Sequence, residues 1–178
     1  MITERTIKTD KIYQGKIINL RVDTVELPDK KYSKREIVEH PGAVAIVPIT
    51  NNNKIIMVKQ YRKPVEETLL EVPAGKLEIN EEPIECAKRE LLEETGYKSE
   101  DLEYILSFYT SPGFSNESIS IYTARNLVKD IAQPDEDEYI EIQEYEIDEL
   151  IKMIQEGNIK DAKTIISILS VKNYAKLY

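Results

Sequence analysis

Hydrophobic and polar residues alternate along this chain in distinct regimes. Before residue 41 the alternation is weak. Lys16–Leu20, Arg21–Leu27 and Ser33–His40 read as two or three short strands poor in large apolar residues, with Pro28-Asp29-Lys30 as a turn. Gly42–Thr50 (GAVAIVPIT) and Lys54–Tyr61 (KIIMVKQY) are dense apolar runs. Asn51-Asn52-Asn53 between them tolerates the left-handed backbone of a tight loop, which predicts a β-hairpin. Thr68–Val72, Leu102–Thr110, Ile119–Ala124 and Tyr139–Tyr145 predict further strands, with Ser111-Pro112-Gly113-Phe114-Ser115-Asn116 as a turn-forming loop.

Between residues 80 and 96 the period lengthens to that of a helix. Asn80 is the expected N-cap, Pro83 is tolerated in the first turn, and Gly96 supplies the stop. Ile84, Ala87 and Leu91 give this helix one face to bury. A second helix is predicted from an N-cap at Asp148 to Gly157. A third starts at Asp161 or its neighbour and runs to about Tyr174, with Ile165, Ile166, Ile168 and Leu169 apolar. The fold class expected is α/β (α+β), a mixed sheet flanked by helices with a small N-terminal antiparallel strand region. A strand region so poor in core cannot stand alone. Residues 1–40 are therefore expected to pack on the rest of the chain or on another copy, with residues 41–178 as the main domain.

Composition narrows the function. The chain has 178 residues, 24 Lys+Arg and 33 Asp+Glu, for a net charge of −9, which disfavours nucleic acid as a partner. An acidic protein handling a phosphorylated substrate needs local countercharge from a metal or from placed arginines. The single cysteine, Cys86, has no disulfide partner and reads as a packed thiol in a reducing, cytoplasmic setting. His40 is the only histidine, so no multi-histidine metal site is expected, and its own role reads as structural. MITERTIKTDK has no apolar core for a signal peptide, and no apolar run reaches membrane-spanning length, so no membrane is expected as a partner.

The chemistry concentrates in Gly75–Tyr97, GKLEINEEPIECAKRELLEETGY. On a helix Glu90 and Glu94 are i,i+4 neighbours with Glu93 adjacent, and like charges so spaced repel unless something cationic compensates. A generic acidic helix face is merely solvated. Here three glutamates crowd one turn beside Arg89, and a hard dication such as Mg²⁺ takes one or two carboxylates together with substrate phosphates. Arg62, at a strand exit leading toward this stretch, is a candidate phosphate clamp, because guanidinium matches phosphate bidentately. Arg35 reads equally as a surface residue or a ligand contact. The acidic loop Pro134-Asp135-Glu136-Asp137-Glu138 can deliver a further ligand or a general base if it lies beside a metal-binding helix.

Gly75, Glu81, Arg89-Glu90-Leu91, Glu93-Glu94 and Gly96 match every fixed position of the Nudix box, G-x5-E-x7-R-E-U-x-E-E-x-G-U with U bulky and apolar; Tyr97 stands where an aliphatic residue is usual. With each fixed letter occurring at roughly one in fifteen on average composition, a chance match is on the order of one in 10⁸ per start. The chain thus resembles the Nudix hydrolase superfamily, from about Asp10 to Leu169. Leu70-Glu71-Val72-Pro73-Ala74-Gly75, Ser111-Pro112-Gly113-Phe114 and Glu156-Gly157-Asn158-Ile159-Lys160-Asp161-Ala162 resemble its ADP-ribose pyrophosphatase branch, as does Pro112 sixteen residues beyond Gly96.

The resemblance implies an α/β/α sandwich and Mg²⁺-dependent (or Mn²⁺-dependent) cleavage of ADP-ribose to AMP and ribose 5-phosphate. It implies metal ligation by Glu90, Glu94, the carbonyl of Ala74 and Glu138, with Glu93 as an outer or additional ligand. Arg89 would orient carboxylates, and Glu138 or Glu136 would be the catalytic carboxylate. Substrate contacts fall to Arg62, Arg35, Glu71 and Ser111, with Tyr13 or Tyr32 available to stack on adenine. Relatives in the branch are homodimers whose N-terminal strands cross onto the partner, so residues 1–40 are the expected dimerisation element. Two other outcomes are compatible: the same chemistry on another nucleotide sugar or dinucleotide (NADH, FAD, GDP-mannose), or a non-catalytic nucleotide-binding regulatory module. The intact glutamate cluster argues against the latter.

Overall fold

The computed structural model describes residues 3–132 and 139–174. They form two compact units, Met1–Gly42 with Tyr109–Ser118, and Ala43–Phe108 with Ile119–Tyr178.

In the first unit β1 (Arg5–Gln14), β2 (Asn19–Glu26) and β3 (Tyr32–Glu39) make an antiparallel sheet in that order. Little of it is buried. Val25 is covered, and the buried Asp23 carboxylate accepts Thr9 Oγ1 at 2.8 Å and faces Arg21 Nε at 3.3 Å. The 109–118 loop is bonded to β3 through Val38 N–H to the Phe114 carbonyl (2.8 Å) and Asn116 N–H to the Val38 carbonyl (3.3 Å). Where the hydrophobic pattern began a strand at Lys16, the backbone instead turns, with Gly15 N–H donating to the Ile18 carbonyl at 3.0 Å. The strand before that turn, β1, went unforeseen because it has no buried face: Ile7, Ile12 and Tyr13 are all exposed, and its register is set by pairing with β2, through the backbone and through Thr9 to Asp23.

The second unit is built on β4 (Ala43–Pro48). Its alternate residues enter two different cores. Ala45 and Val47 join Ile121, Leu150, Ile159 and Ile168, whereas Val44 and Ile46 join Cys86, Ala87, Leu91 and Ala124. Such two-faced burial requires cover on both sides of a sheet. After β4 come β5 (Lys54–Arg62), β6 (Glu67–Glu71), β7 (Ala74–Lys76), α1 (Pro83–Thr95), β8 (Tyr97–Lys98), β9 (Asp101–Tyr109), β10 (Ser118–Arg125), β11 (Val128–Lys129), β12 (Ile140–Glu146), α2 (Ile147–Gln155) and α3 (Ala162–Tyr174). The order β7-β4-β10-β9 makes a mixed sheet, with β4 parallel to β10 and antiparallel to β7, and α1 lies on one face while α2 and α3 cover the other. A separate antiparallel sheet has the order β12-β5-β6, and β8 pairs with β11.

Three local expectations are corrected. The apolar runs either side of Asn51–Asn53 do form a turn, with Asn53 at φ 59° and Thr50 N–H donating to the Lys54 carbonyl. Beyond the single bridge Ile49–Ile55, however, β4 and β5 part into different sheets rather than forming a hairpin. β4 is buried on both faces, and only interior placement between β7 and β10 satisfies its two backbone edges. Asn80 is not the cap of α1: it sits at φ 62° in the preceding turn, and Glu82 occupies the N-cap position without a side-chain bond, because Pro83 fixes the first helical residue. Asp148 lies inside the first turn of α2 rather than capping it, where it pairs with Lys172. Asp161 does cap α3, its Oδ2 accepting Thr164 N–H at 2.9 Å.

Gly96 ends α1 at φ 69°, its N–H bonded to the Leu92 carbonyl, and a Cβ there would come within 3.1 Å of Ala132 N and 3.2 Å of the Asp130 carbonyl. Gly96→Ala is therefore expected to destabilise the fold by about 1–2 kcal/mol. Urea unfolding checks this; an unchanged midpoint would contradict the left-handed stop.

Candidate active site

The sequence pattern made Glu90, Glu93 and Glu94 one edge of an amphipathic helix, and the structure turns most of that edge inward. The buried residues of α1 are Cys86, Ala87, Leu91, Glu94 and Thr95, whereas Ile84, expected in the core, is 39 % exposed. Glu94 retains only 4 % exposure, and its Oε2 accepts the Ala74 N–H at 3.0 Å. The Glu90 carboxylate lies directly on Gly75, where a Cβ would overlap Oε1 and Oε2. A side chain at 75 and the Glu90 carboxylate cannot share that space. The short strand β7, itself unforeseen, thus receives the acidic turn of α1 against its backbone.

Arg89 is the countercharge. Its Nε and Nη2 grip the two oxygens of Glu81 at 2.9 and 3.0 Å, and its Nη1 donates to Glu90 Oε1 at 2.7 Å and Glu93 Oε2 at 2.8 Å. One guanidinium faces three carboxylates. Hydrogen bonding from Arg89 holds the Glu81 carboxyl down at about 2. Cys86 is fully buried, burial pushes its thiol well up, and its Sγ donates toward the Lys76 carbonyl, so it packs rather than reacts.

Arg62 and Glu71 meet on adjacent strands. Nε and Nη2 of Arg62 donate to Oε1 and Oε2 of Glu71 at 2.8 and 2.9 Å. Glu71 is 1 % exposed and also accepts Lys163 Nζ. Burial by itself raises the Glu71 pKa, but Arg62 and Lys163 together outweigh it and hold the group below its ordinary value. Arg62 keeps 38 % of its side chain exposed and feels the charge of Glu94.

The other two substrate-contact candidates belong to the first unit. Arg35 on β3 is paired through Nε and Nη2 with Glu4 at 2.9 and 2.6 Å. Ser111 lines a cavity of about 310 Å³ with Ile18, Val38, His40, Phe114 and Glu117. Tyr13 and Tyr32 are exposed there. His40 is structural in its bonds: Nδ1 accepts the Gly42 N–H at 3.1 Å and its own N–H reaches Asn116. Glu136 and Glu138 lie outside the described residues. Sequence reasoning left Glu81 without a role and did not single out Lys163. The letter E of the motif marked the first, while only the adjacent segment Glu156–Ala162 pointed to the second.

The donors gathered around Ala74 and Gly75 are oxygens: two α1 carboxylates and the backbone. Among the described residues no three His, Cys, Asp or Glu side chains form a metal cluster by themselves. Two carboxylates plus substrate phosphates are what a hard dication such as Mg²⁺ commonly uses, so the residues fit such an ion.

Residues 39–167 match the NUDIX domain model, and residues 4–38 match the nucleoside diphosphate sugar hydrolase N-terminal domain. The chain is 52 % identical to a methanol dehydrogenase activator of Bacillus methanolicus, over 94 % of this chain and 92 % of the relative. It is 48 % identical to an ADP-ribose pyrophosphatase of Bacillus subtilis, over 94 % and 91 %. A crystal structure of an ADP compounds hydrolase superposes with TM-score 0.86 over 97 % of this chain and 94 % of that one; at 20 % identity it speaks to the fold alone.

Because Glu81 ordinarily titrates at 4.5 and is held at about 2 when folded, its ionised form contributes stability that is full above pH 4.5 and is lost as pH falls toward 2. The stability difference between the native chain and Glu81→Gln is expected to shrink over that window, read by urea unfolding at stepped pH. A pH-independent difference would contradict the Arg89 hub.

Proposed function

The chain belongs to the NUDIX family, and from that premise we propose that it hydrolyses the diphosphate of ADP-ribose to AMP and ribose 5-phosphate with Mg²⁺, Mn²⁺ being the alternative ion. The observation that carries the reading is the seating of the Glu90 and Glu94 carboxylates on the Ala74–Gly75 backbone. The name of the Bacillus subtilis relative supports the choice of substrate. Glu90, Glu94, the Ala74 carbonyl and Glu138 would hold the metal, with Glu93 as an outer or additional ligand. When bound, the ion neutralises charge on the diphosphate and makes water more acidic.

The chain's own groups do the rest. Arg62 binds the diphosphate, fixed by its fork onto Glu71. Arg89 keeps Glu90 and Glu93 in place. Substrate contact is also assigned to Arg35 and Ser111, and Glu138, with Glu136 the alternative, takes the proton from the attacking water. The protein works as a cytoplasmic homodimer, with residues 1–40 as the dimerisation element. The exposed apolar residues of β1, Ile7, Ile12 and Tyr13, support that element. A second reading keeps the chemistry and changes the substrate to another nucleotide sugar or a dinucleotide. Relatives named GDP-mannose pyrophosphatases favour keeping that reading.

Assayed with Mg²⁺ and with chelator against ADP-ribose, NADH, FAD and GDP-mannose, the protein is expected to turn over ADP-ribose fastest and only with metal. Glu94→Gln is expected to lower kcat by about 10²-fold or more at saturating Mg²⁺. Metal-dependent preference for another substrate would move the second reading forward, and nucleotide binding without turnover would favour a regulatory module. Sedimentation equilibrium is expected to give the mass of two chains; a monomer at micromolar concentration would remove the dimer.

A further inference from the structure

The segment Glu156–Ala162 resembles the branch yet has no part in the mechanism above, and the helix it leads into reaches the wall of the site. The first turn of α3 grips the exit of β6 at two points. Thr164 Oγ1, fully buried, accepts the Val72 N–H at 3.0 Å and donates to Asp161 Oδ2 at 2.6 Å. One residue earlier, Lys163 Nζ donates to Glu71 Oε2 and lies 3.0 Å from Asp161 Oδ2, with 14 % of its side chain exposed. The same Glu71 carboxylate carries the fork of Arg62.

We propose that Lys163 is a positioning residue for Arg62: by sharing the buried Glu71 carboxylate it fixes the guanidinium that receives the substrate's diphosphate. The inference rests on the reading that Arg62 binds that diphosphate. A bidentate fork sets the plane of a guanidinium relative to its carboxylate, but leaves the carboxylate free to turn about its own side chain. The ammonium, arriving from an element 92 residues away in sequence, is the added point that stops this rotation.

The test is steady-state kinetics on ADP-ribose together with the Arg62 side-chain Nε–H resonance, assigned by its loss in Arg62→Lys. Lys163→Met is expected to raise KM about tenfold, the loss of one charge-assisted hydrogen bond's worth of binding, with kcat kept within about twofold. It should also broaden or shift the Arg62 resonance. Lys163→Arg should restore both. Lys160→Met, which breaks the exposed pair between Lys160 and Glu67 at the same junction, should change neither. Arg62→Ala should raise KM further, and adding Lys163→Met to it should cost nothing more. A normal KM or an unmoved Arg62 resonance in a folded Lys163→Met overturns the proposal. If that variant does not fold, Lys163→Gln removes the positive charge facing Glu71 while keeping a polar side chain, and is expected to give the same two changes; a normal KM in it is equally decisive against. The two readings fail differently. An Arg62→Ala protein with unchanged KM sinks the diphosphate clamp itself, whereas a raised KM there and a normal one in Lys163→Met sinks only the positioning role. If ADP-ribose is not a substrate, the resonance still decides whether Lys163 fixes Arg62.

Discussion

Everything in the catalytic half of this molecule follows from the need to hold several carboxylates close together out of bulk water. Glu81, Glu90, Glu93 and Glu94 would repel one another on an isolated helix and its lead-in. Arg89 removes that difficulty for three of them with a single planar cation, and the Ala74 N–H meets the fourth. The arrangement is only available because the backbone at Gly75 carries no side chain. A lysine could not substitute for Arg89, since an ammonium is a point charge without the planar fork that serves Glu81 and its helix neighbours at once.

The layers around β4 explain why these groups can be held so firmly. One face of β4 meets Cys86, Ala87 and Leu91, which fixes the rotation of α1 about its axis and thereby aims Glu90 and Glu94 at β7, the strand bonded to β4. The other face joins the core that includes Ile168 of α3. Helix α3 in turn meets the β6 exit through Lys163 and Thr164, just before Ala74. The acidic turn and the cationic cluster are thus positioned by opposite faces of one strand, which couples packing on either side to the chemistry.

Legibility in the sequence followed the range of the interactions. The helix from Pro83, its stop at Gly96 and the grouping of Glu90, Glu93, Glu94 and Arg89 depend on neighbours within a few turns, and spacing alone displays them. The N-cap was misplaced by two residues because Asn80 suits a cap and a left-handed turn equally well, and Pro83 decided between them. Strand pairing was harder. The pattern around Asn51–Asn53 describes a turn correctly, but which strands pair is set by burial on both faces of β4, a property of the finished sheet. The union of Glu71, Arg62 and Lys163 was invisible for a related reason: no local period relates residues so far apart. Strand β1 escaped because a strand exposed on both faces carries no alternation to read.

The partnership of β4 with β10 also sets the order of events when the chain is made. On a ribosome the apolar run Ala43–Pro48 emerges early, and the Asn51–Asn53 turn can close within microseconds. Its parallel partner, which seats Ile119 beside Ala43 and Ala124 beside Pro48, is synthesised some seconds later at typical rates of elongation. In that interval one of the most hydrophobic segments of the protein has no lateral neighbour from β10, and the nascent chain presents the kind of unsatisfied strand that cellular chaperones bind.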